Sequence, residues 1–397
     1  MWDAHLSEDE IMIRNLAREI AKESVVPVRE KYDHEGIFPW DIVKILAEAD
    51  LFRALVPKEY DGLDFSSPLG PENPVKVSTM LLCLVTEELS RACGGIALAY
   101  AGTALGLTPI LLFGSEEQKK RLLPAVAAGE KLCAFALTEP NAGSDASSIA
   151  TTARRDGDYY ILNGTKQWIT NGGEAKIYTV IASSDRSRGA RGLSAFIVED
   201  GMEGFSYGKK EDKMGIRASA TRELVFDNCK VPAKNLLGKE GRGFIVTMST
   251  FDITRPGVAA QAVGIAQGAL DEAVKYAKQR EQFGQRIAGF QGIQFMLAEM
   301  ATMVEASRAL TYYCARAIDA GAPGTSIYSS MAKLLSSDTA MRVTTDALQI
   351  FGGYGYMREY PMEKMMRDAK ITQIYEGTNQ IQRQVIALEL IKKGGKW

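Results

Sequence analysis

Histidine is nearly absent from this 397-residue chain. His5 and His34 both stand near the N-terminus, so a His-based metal site or a nucleophile–His pair has little material. Cysteine is sparse too: Cys83, Cys93, Cys133, Cys229 and Cys314 are odd in number, scattered and never in a C-x-x-C pair. That argues for reduced thiols in a cytosol-like compartment and against a cysteine metal site, and no metal is expected. Nor is there a basic excess. The 47 Lys+Arg face 49 Asp+Glu for a formal charge of −2, which leaves nothing to hold a nucleic-acid backbone. No apolar run is expected to approach the length of a membrane span, since Gly, Pro or charge interrupts every candidate. The start, Met1-Trp2-Asp3-Ala4-His5-Leu6-Ser7-Glu8, is acidic and lacks the pattern of a signal peptide. What remains is an ordinary globular composition, long enough for two or three domains. Its chemistry must come from carboxylates or a borrowed cofactor.

Three textures follow one another. Residues 1–131 read as helical. Ser7-Glu8-Asp9-Glu10 has the form of a capping box, and Ile11, Ile13, Leu16 and Ile20 then recur near one helix face. A second helix is expected through Ile42, Ile45 and Leu46, and Phe65–Val77, with three prolines and a glycine, reads as a loop. Residues 132–236 read as strands. Asn163-Gly164, between Tyr159–Leu162 and Lys166–Thr170, predicts a hairpin turn. Further strands are expected at Ile177–Ala182, Leu193–Val198 and Glu223–Phe226, with an exposed Arg-rich loop at Ser183–Gly192. Residues 237–397 are helical again. Ala262, Ala266, Ala269, Ala273 and Ala277 share a face with Leu270 and Val274, and Ile293, Met296, Leu297, Met300, Val304, Ser307 and Leu310 form a second, bundle-core stripe.

Four segments carry the candidate chemistry. Phe135 to Asp145 contains Thr138-Glu139-Pro140-Asn141-Ala142-Gly143-Ser144, either simply a turn at a strand end or a site whose hydroxyls and open amides hold an anionic or heteroaromatic group. Lys166-Gln167-Trp168-Ile169-Thr170 places a Trp either in a core or against a flat ring. Gln349-Ile350-Phe351-Gly352-Gly353 is either a helix C-terminus or a close approach to phosphate. Tyr375-Glu376-Gly377-Thr378 offers a carboxylate that is either a solvated loop group or, if buried, a strengthened base.

In this order, and together with Arg280-Glu281-Gln282-Phe283-Gly284, these segments resemble the acyl-CoA dehydrogenase family, its short- and medium-chain branch most. The resemblance runs from Leu6 to Leu390. It implies an α+β multidomain fold: an N-terminal helical domain, a small middle β-barrel or sandwich, and a C-terminal four-helix bundle. It implies FAD as cofactor, an acyl-CoA substrate, electron-transferring flavoprotein as acceptor, and a homotetramer built as a dimer of dimers. A cytoplasmic or, in a eukaryote, mitochondrial-matrix location follows.

Residue by residue, the resemblance gives Glu376 as the base that removes the α-proton. Phe135, Leu137, Thr138, Gly143, Ser144, Trp168, Ile169 and Thr170 would line the flavin, and Thr378 and Gln380 would complete its site. Arg280, Gln282 and Phe283, with Gln349, Gly352 and Gly353, would reach the cofactor from a neighbouring subunit. Ser144, Asp252, Thr254, Arg255, Tyr375 and Gly377 would face the substrate. In isovaleryl-type members the base lies near Thr254-Arg255 instead; here that position offers Thr254, so Glu376 is favoured. The glutaryl branch carries an Arg where this chain has Ile96, so a neutral acyl group is expected, short to medium, branched or alicyclic, with Ala97 and Ala101 leaving room. The alternatives of the same fold are an acyl-CoA oxidase and, from another class, a DNA-binding flavoprotein, against which the charge of −2 speaks.

Overall fold

The computed structural model describes residues 2–64, 70, 73, 75–392 and 394. Most of the Phe65–Val77 loop expected from the sequence lies outside them. The chain begins with helices: α1 (Glu8–Ile20), α2 (Arg29–Glu35), α3 (Trp40–Glu48), α4 (Thr79–Ala92), α5 (Gly94–Phe113) and α6 (Glu116–Ala127). Ser7 caps α1 as its sequence predicts, with Glu10 Oε2 accepting from the Ser7 amide at 2.8 Å. Asp319, far along the chain, accepts from Ser78 Oγ at 2.9 Å and from the Thr79 amide at 2.6 Å, tying the start of α4 to the C-terminal helices.

Helix α5 corrects one expectation. Its 20 residues carry no charge and are long and apolar enough to cross a membrane, Gly and Pro109 notwithstanding. It is a core helix instead, 78% buried within the protein. Its glycines set its place: a Cβ on Gly106 would stand 2.4 Å from the Ala134 backbone nitrogen, and one on Gly102 would stand 2.8 Å from the Thr170 methyl. The helix therefore lies directly on the sheet, at a distance only glycine allows.

The strands among the described residues follow: β1 (Cys133–Ala136), β2 (Thr152–Asp156), β3 (Tyr159–Thr170), β4 (Ile177–Ser183), β5 (Leu193–Glu199), β6 (Phe205–Lys210), β7 (Thr221–Pro232), β8 (Leu236–Leu237) and the small pair β9 (Glu281–Gln282) and β10 (Gln285–Arg286). The main sheet runs β6-β7-β3-β2-β4-β5-β8, with β1 beside β4 in parallel register, Phe135 opposite Thr179. The expected hairpin at Asn163-Gly164 does not form. β3 runs straight through these residues, and the turn sits earlier, at Gly157 (φ 59°). Asn163-Gly164 is instead a bulge against β7, where the register slips between Leu162 and Gly164. Asn163 Oδ1 accepts from the Asn228 amide at 2.8 Å, and a Cβ on Gly164 would stand 2.5 Å from Thr151 Oγ1. Ser183–Gly192 is mostly exposed but contains a 3-10 turn, Arg186–Gly192.

The C-terminal helices are α7 (Gly243–Gln279), α8 (Gln291–Asp319), α9 (Thr325–Phe351), α10 (Gly353–Tyr356), α11 (Met362–Thr372) and α12 (Asn379–Lys392). The alanine stripe of α7 is buried, but Val274, expected beside it, is 38% exposed. In α8, Met300, Val304 and Ser307 are core, whereas Ile293, Met296, Leu297 and Leu310 are only partly buried.

Candidate active site

A cavity of about 120 Å³ opens where α4, α5, the end of β1, the bulged end of β3, α7 and the Tyr375–Glu376 loop meet. Its wall brings together Phe135, Leu137, Thr138, Trp168, Ile169, Thr170, Thr254, Tyr375 and Glu376, all singled out from the sequence. Among the described residues, Glu376 is the sole charged one on that wall.

Backbone geometry sets the carboxylate in place. Glu376 has φ 50° and Gly377 φ 91°, so the chain between α11 and α12 turns through left-handed conformations. Arg255 Nε donates to the Glu376 carbonyl at 3.2 Å, and Gln382 Nε2 donates to the Glu376 and Gly377 carbonyls at 3.2 and 2.9 Å. Thr254 Oγ1 donates to Glu376 Oε2 at 2.8 Å. The two positions compared in the sequence as seats for a base, 254 and 376, thus meet at one point. Burial pushes the Glu376 carboxyl up to about 7, against the hydrogen bond from Thr254 and the charges of Arg255 and Lys333. The carboxyl is thus a partly buried group on the cavity wall rather than a freely solvated loop group. Tyr375 donates its hydroxyl to Gln261 Oε1, and Gln261 Nε2 donates to the Gly94 carbonyl at 3.0 Å, so this side of the cavity is fixed to α5.

Behind the Leu137–Thr138 part of the wall lie Glu139 and Lys166, a pair the sequence motifs contained but did not explain. Lys166 is fully buried. Its Nζ donates to Glu139 Oε1 at 2.8 Å and to the Leu137 carbonyl at 2.9 Å. Glu139 also accepts from the Thr151 amide at 2.9 Å. The pair pins the Leu137–Thr138 segment against β3, and the Thr138 carbonyl takes the Gln167 amide at 2.8 Å. Immediately afterwards the β3–β7 register slips between Lys166 and Ile169. That slip turns Trp168 outward, with φ 59° and 55% exposure, which removes the core alternative for this residue.

This face suits a flat heteroaromatic group. It offers an exposed indole, an apolar Leu137–Ile169 surface, and the hydroxyls of Thr138 and Thr170, which no hydrogen bond engages among the described residues. Nearby, Gly143 and Ser144 lie exposed on the loop after β1, and a Cβ on Gly143 would meet nothing.

Other expected residues lie elsewhere. Arg280, Gln282, Gly352 and Gly353 line a second, open groove of about 560 Å³ at the far ends of α7 and α9. Arg280 follows Thr254 along α7 by roughly 40 Å, at 1.5 Å per residue. Phe283 is 95% exposed at the tip of the β9–β10 turn, and Gln349 and Gln380 are also exposed. Thr378 Oγ1 accepts from the Ile381 amide at 3.3 Å, at the start of α12. Asp252 accepts from Ser326 Oγ at 2.8 Å and faces Arg255 Nη1 at 3.5 Å. Ile96 and Ala97 are buried away from the cavity; α5 presents Leu98, Ala101, Gly102, Ala104 and Leu105 to it. Lys333, absent from the sequence reading, donates to the Gly377 carbonyl at 2.9 Å. Its signal was its phase on α9, one turn from each of the buried Ser329 and Ser337.

Comparison with known proteins bears on all three parts of the chain. Acyl-CoA dehydrogenase N-terminal, middle and C-terminal domain families match residues 7–130, 134–229 and 241–391. The Acyl-CoA dehydrogenase of Bacillus subtilis (strain 168) is 46% identical over 391 residues, covering 98% of this chain and 99% of the relative. The solved butyryl-CoA dehydrogenase from Megasphaera elsdenii superposes with a TM-score of 0.93 at 46% identity, over 97% of this chain and 99% of that one. A chain of the structure reported as the electron transferring flavoprotein of Acidaminococcus fermentans gives a TM-score of 0.93 at 49% identity, over 98% of this chain and 99% of that one. With matched domains from residue 7 to residue 391 and the same succession of helices, sheet and helices, the chain belongs to the acyl-CoA dehydrogenase family.

Proposed function

We propose that the chain is an FAD-dependent acyl-CoA dehydrogenase in which Glu376 removes the α-proton of an acyl-CoA thioester on the way to the 2-enoyl-CoA. The observation that carries this reading is a lone carboxyl, raised to about 7, on the wall of an otherwise uncharged cavity. A base poised near neutrality combines a usable carboxylate fraction with adequate basicity. FAD, when bound, supplies acceptance of the β-hydrogen as hydride. Trp168, Thr170, Leu137 and Thr138 would hold the flavin ring, with Phe135, Ile169, Gly143, Ser144, Thr378 and Gln380 around it.

The chain's own contribution is orientation. Thr254 holds one carboxylate oxygen, Arg255 and Gln382 hold the carbonyl behind it, and the Glu376 amide would stabilise the enolate-like oxygen of the thioester. One such donor in a dry site is typically worth about 2.7–4 kcal/mol. Asp252, Tyr375 and Gly377 would complete the substrate contacts. The size of the cavity and its lack of any second charge support a neutral, short to medium acyl group over a dicarboxyl one.

Arg280, Gln282, Phe283, Gln349, Gly352 and Gly353 are too far along their helices to share a flavin ring with Glu376 of the same chain. This favours their serving the cofactor of a neighbouring copy, within a homotetramer. The likeness to the Acidaminococcus chain supports electron-transferring flavoprotein as the acceptor. The five free cysteines, all buried, fit a reducing cytoplasm.

Anaerobic flavin bleaching by straight, branched, alicyclic and dicarboxyl acyl-CoAs tests this. Rapid bleaching by one neutral class, lost in Glu376→Gln, is expected; preference for glutaryl-CoA would overturn the substrate assignment, and bleaching that survives in the variant would overturn the base.

A further inference from the structure

We propose that Lys333 is a positioning residue for Glu376, holding the Glu376–Gly377 turn from α9 and setting a buried positive charge within electrostatic reach of the carboxylate. The inference rests on Glu376 being the base. Lys333 is 0% exposed. Its Nζ donates to the Gly377 carbonyl and to Asn379 Oδ1, both at 2.9 Å. Asn379 is itself fixed, donating to Ser337 Oγ at 3.0 Å and to Asp338 Oδ1 at 2.7 Å.

Three donors from three helices therefore converge on two consecutive carbonyls: Arg255 from α7, Lys333 from α9 and Gln382 from α12. A glutamate at φ 50° persists only where its surroundings over-determine it, and this cradle does so. A neutral donor would suffice for the hydrogen bonds. A buried ammonium is costly, so its presence where a carbonyl and an amide oxygen are the contacts points to a use for the charge itself.

The charged groups around the pair are few. Glu376, Arg255 and Asp338 act on Lys333; Arg255 and Lys333 act on Glu376, with Thr254 as hydrogen-bond donor. Arg255 faces Asp252, and Asp338 is paired with Arg383 at 3.0 Å. Burial lowers Lys333 to about 7 and raises Glu376 to about 7, and each shift is opposed in part by the charge of the other group. Loss of the ammonium must shift Glu376 toward its protonated, inactive form.

The test is the infrared titration of the Glu376 carboxyl in flavin-loaded wild type, Lys333→Gln and Lys333→Met, with Glu376→Gln assigning the band. Lys333→Gln keeps a donor for Gly377 and drops the charge, so it carries the test if Lys333→Met fails to fold. The expected result is a Glu376 midpoint moved upward, with the acid limb of the kcat profile moving by the same amount. An unmoved midpoint in Lys333→Gln overturns the proposal, whatever happens to thermal stability. Failure of Glu376 as base would show separately, as bleaching that survives in Glu376→Gln.

Discussion

At Glu376, the proposed role as base and the stability of the fold pull in opposite directions. Its carboxyl titrates near 7 in the folded chain, against an ordinary 4.5. The native state therefore keeps a proton that the unfolded chain releases, and this group's contribution to stability falls as pH rises from about 4.5 to about 7. Glu376→Gln escapes that loss. It should unfold at higher urea than wild type at pH 8, by on the order of 1–3 kcal/mol, with the difference fading near pH 4. The same titration fixes the rate profile: kcat/KM should climb through about pH 7 as the carboxylate forms, and a profile flat from pH 5 to 9 would contradict the assignment. The residue's identity was legible in Tyr375-Glu376-Gly377 once the other motifs were in view. Its supports were legible only in part: Thr254 and Arg255 were named as substrate contacts, but their bonds to Glu376 were not, and Lys333 comes from a helix distant in sequence with nothing local to mark the convergence.

Among the elements, the wall that bears Leu137 and Thr138 depends on one buried ion pair. Burial lowers Lys166 to about 8, partly offset by Glu139, whose own carboxyl is held below its ordinary range by Lys166 and the Ala150 and Thr151 amides despite burial. Glu139→Ala strands that ammonium, and breaking such a pair from one side costs about 3–5 kcal/mol. Chemical denaturation should show that loss and flavin titration a weaker affinity, while Glu139→Gln with Lys166→Met should recover much of the stability. Helix and strand identities were largely readable here, since β4, β5 and β7 contain the expected segments and the Ser7 cap stands where its residues put it. Bulges were not. Asn163-Gly164 carries the same residue types for a hairpin turn and for a close approach to Thr151, and only the partner strand decides between them. The Lys166–Ile169 slip that exposes Trp168 was hidden for the same reason.

For the whole molecule, the surface around the second groove is the informative one. Phe283 stands 95% exposed at positive φ, followed by Gly284 at φ 77°, a conformation in which a Phe is held at a cost. Phe295, Tyr354, Tyr356 and Met357 are exposed as well. A second copy of the chain is the occupant this reading predicts. Phe283→Ser should lower the mass seen by sedimentation and weaken flavin retention together; an unchanged mass would leave that face without its proposed role.

Helix α5 carries a consequence for how the protein is made. It is apolar on every side, and its shelter comes from α4, from β1, at Gly106, and from α7, where Ile265 packs on Gly94 and Gln261 Nε2 donates to the Gly94 carbonyl. Synthesis delivers α5 long before Gly243 leaves the ribosome. For that interval the face of α5 that α7 later covers is bare hydrophobic surface, as attractive to an insertion machinery or to another nascent chain as to its own sheet. Nascent chains stalled between Phe113 and Gly243 should therefore be the ones that holdase chaperones retain, and release should coincide with completion of α7.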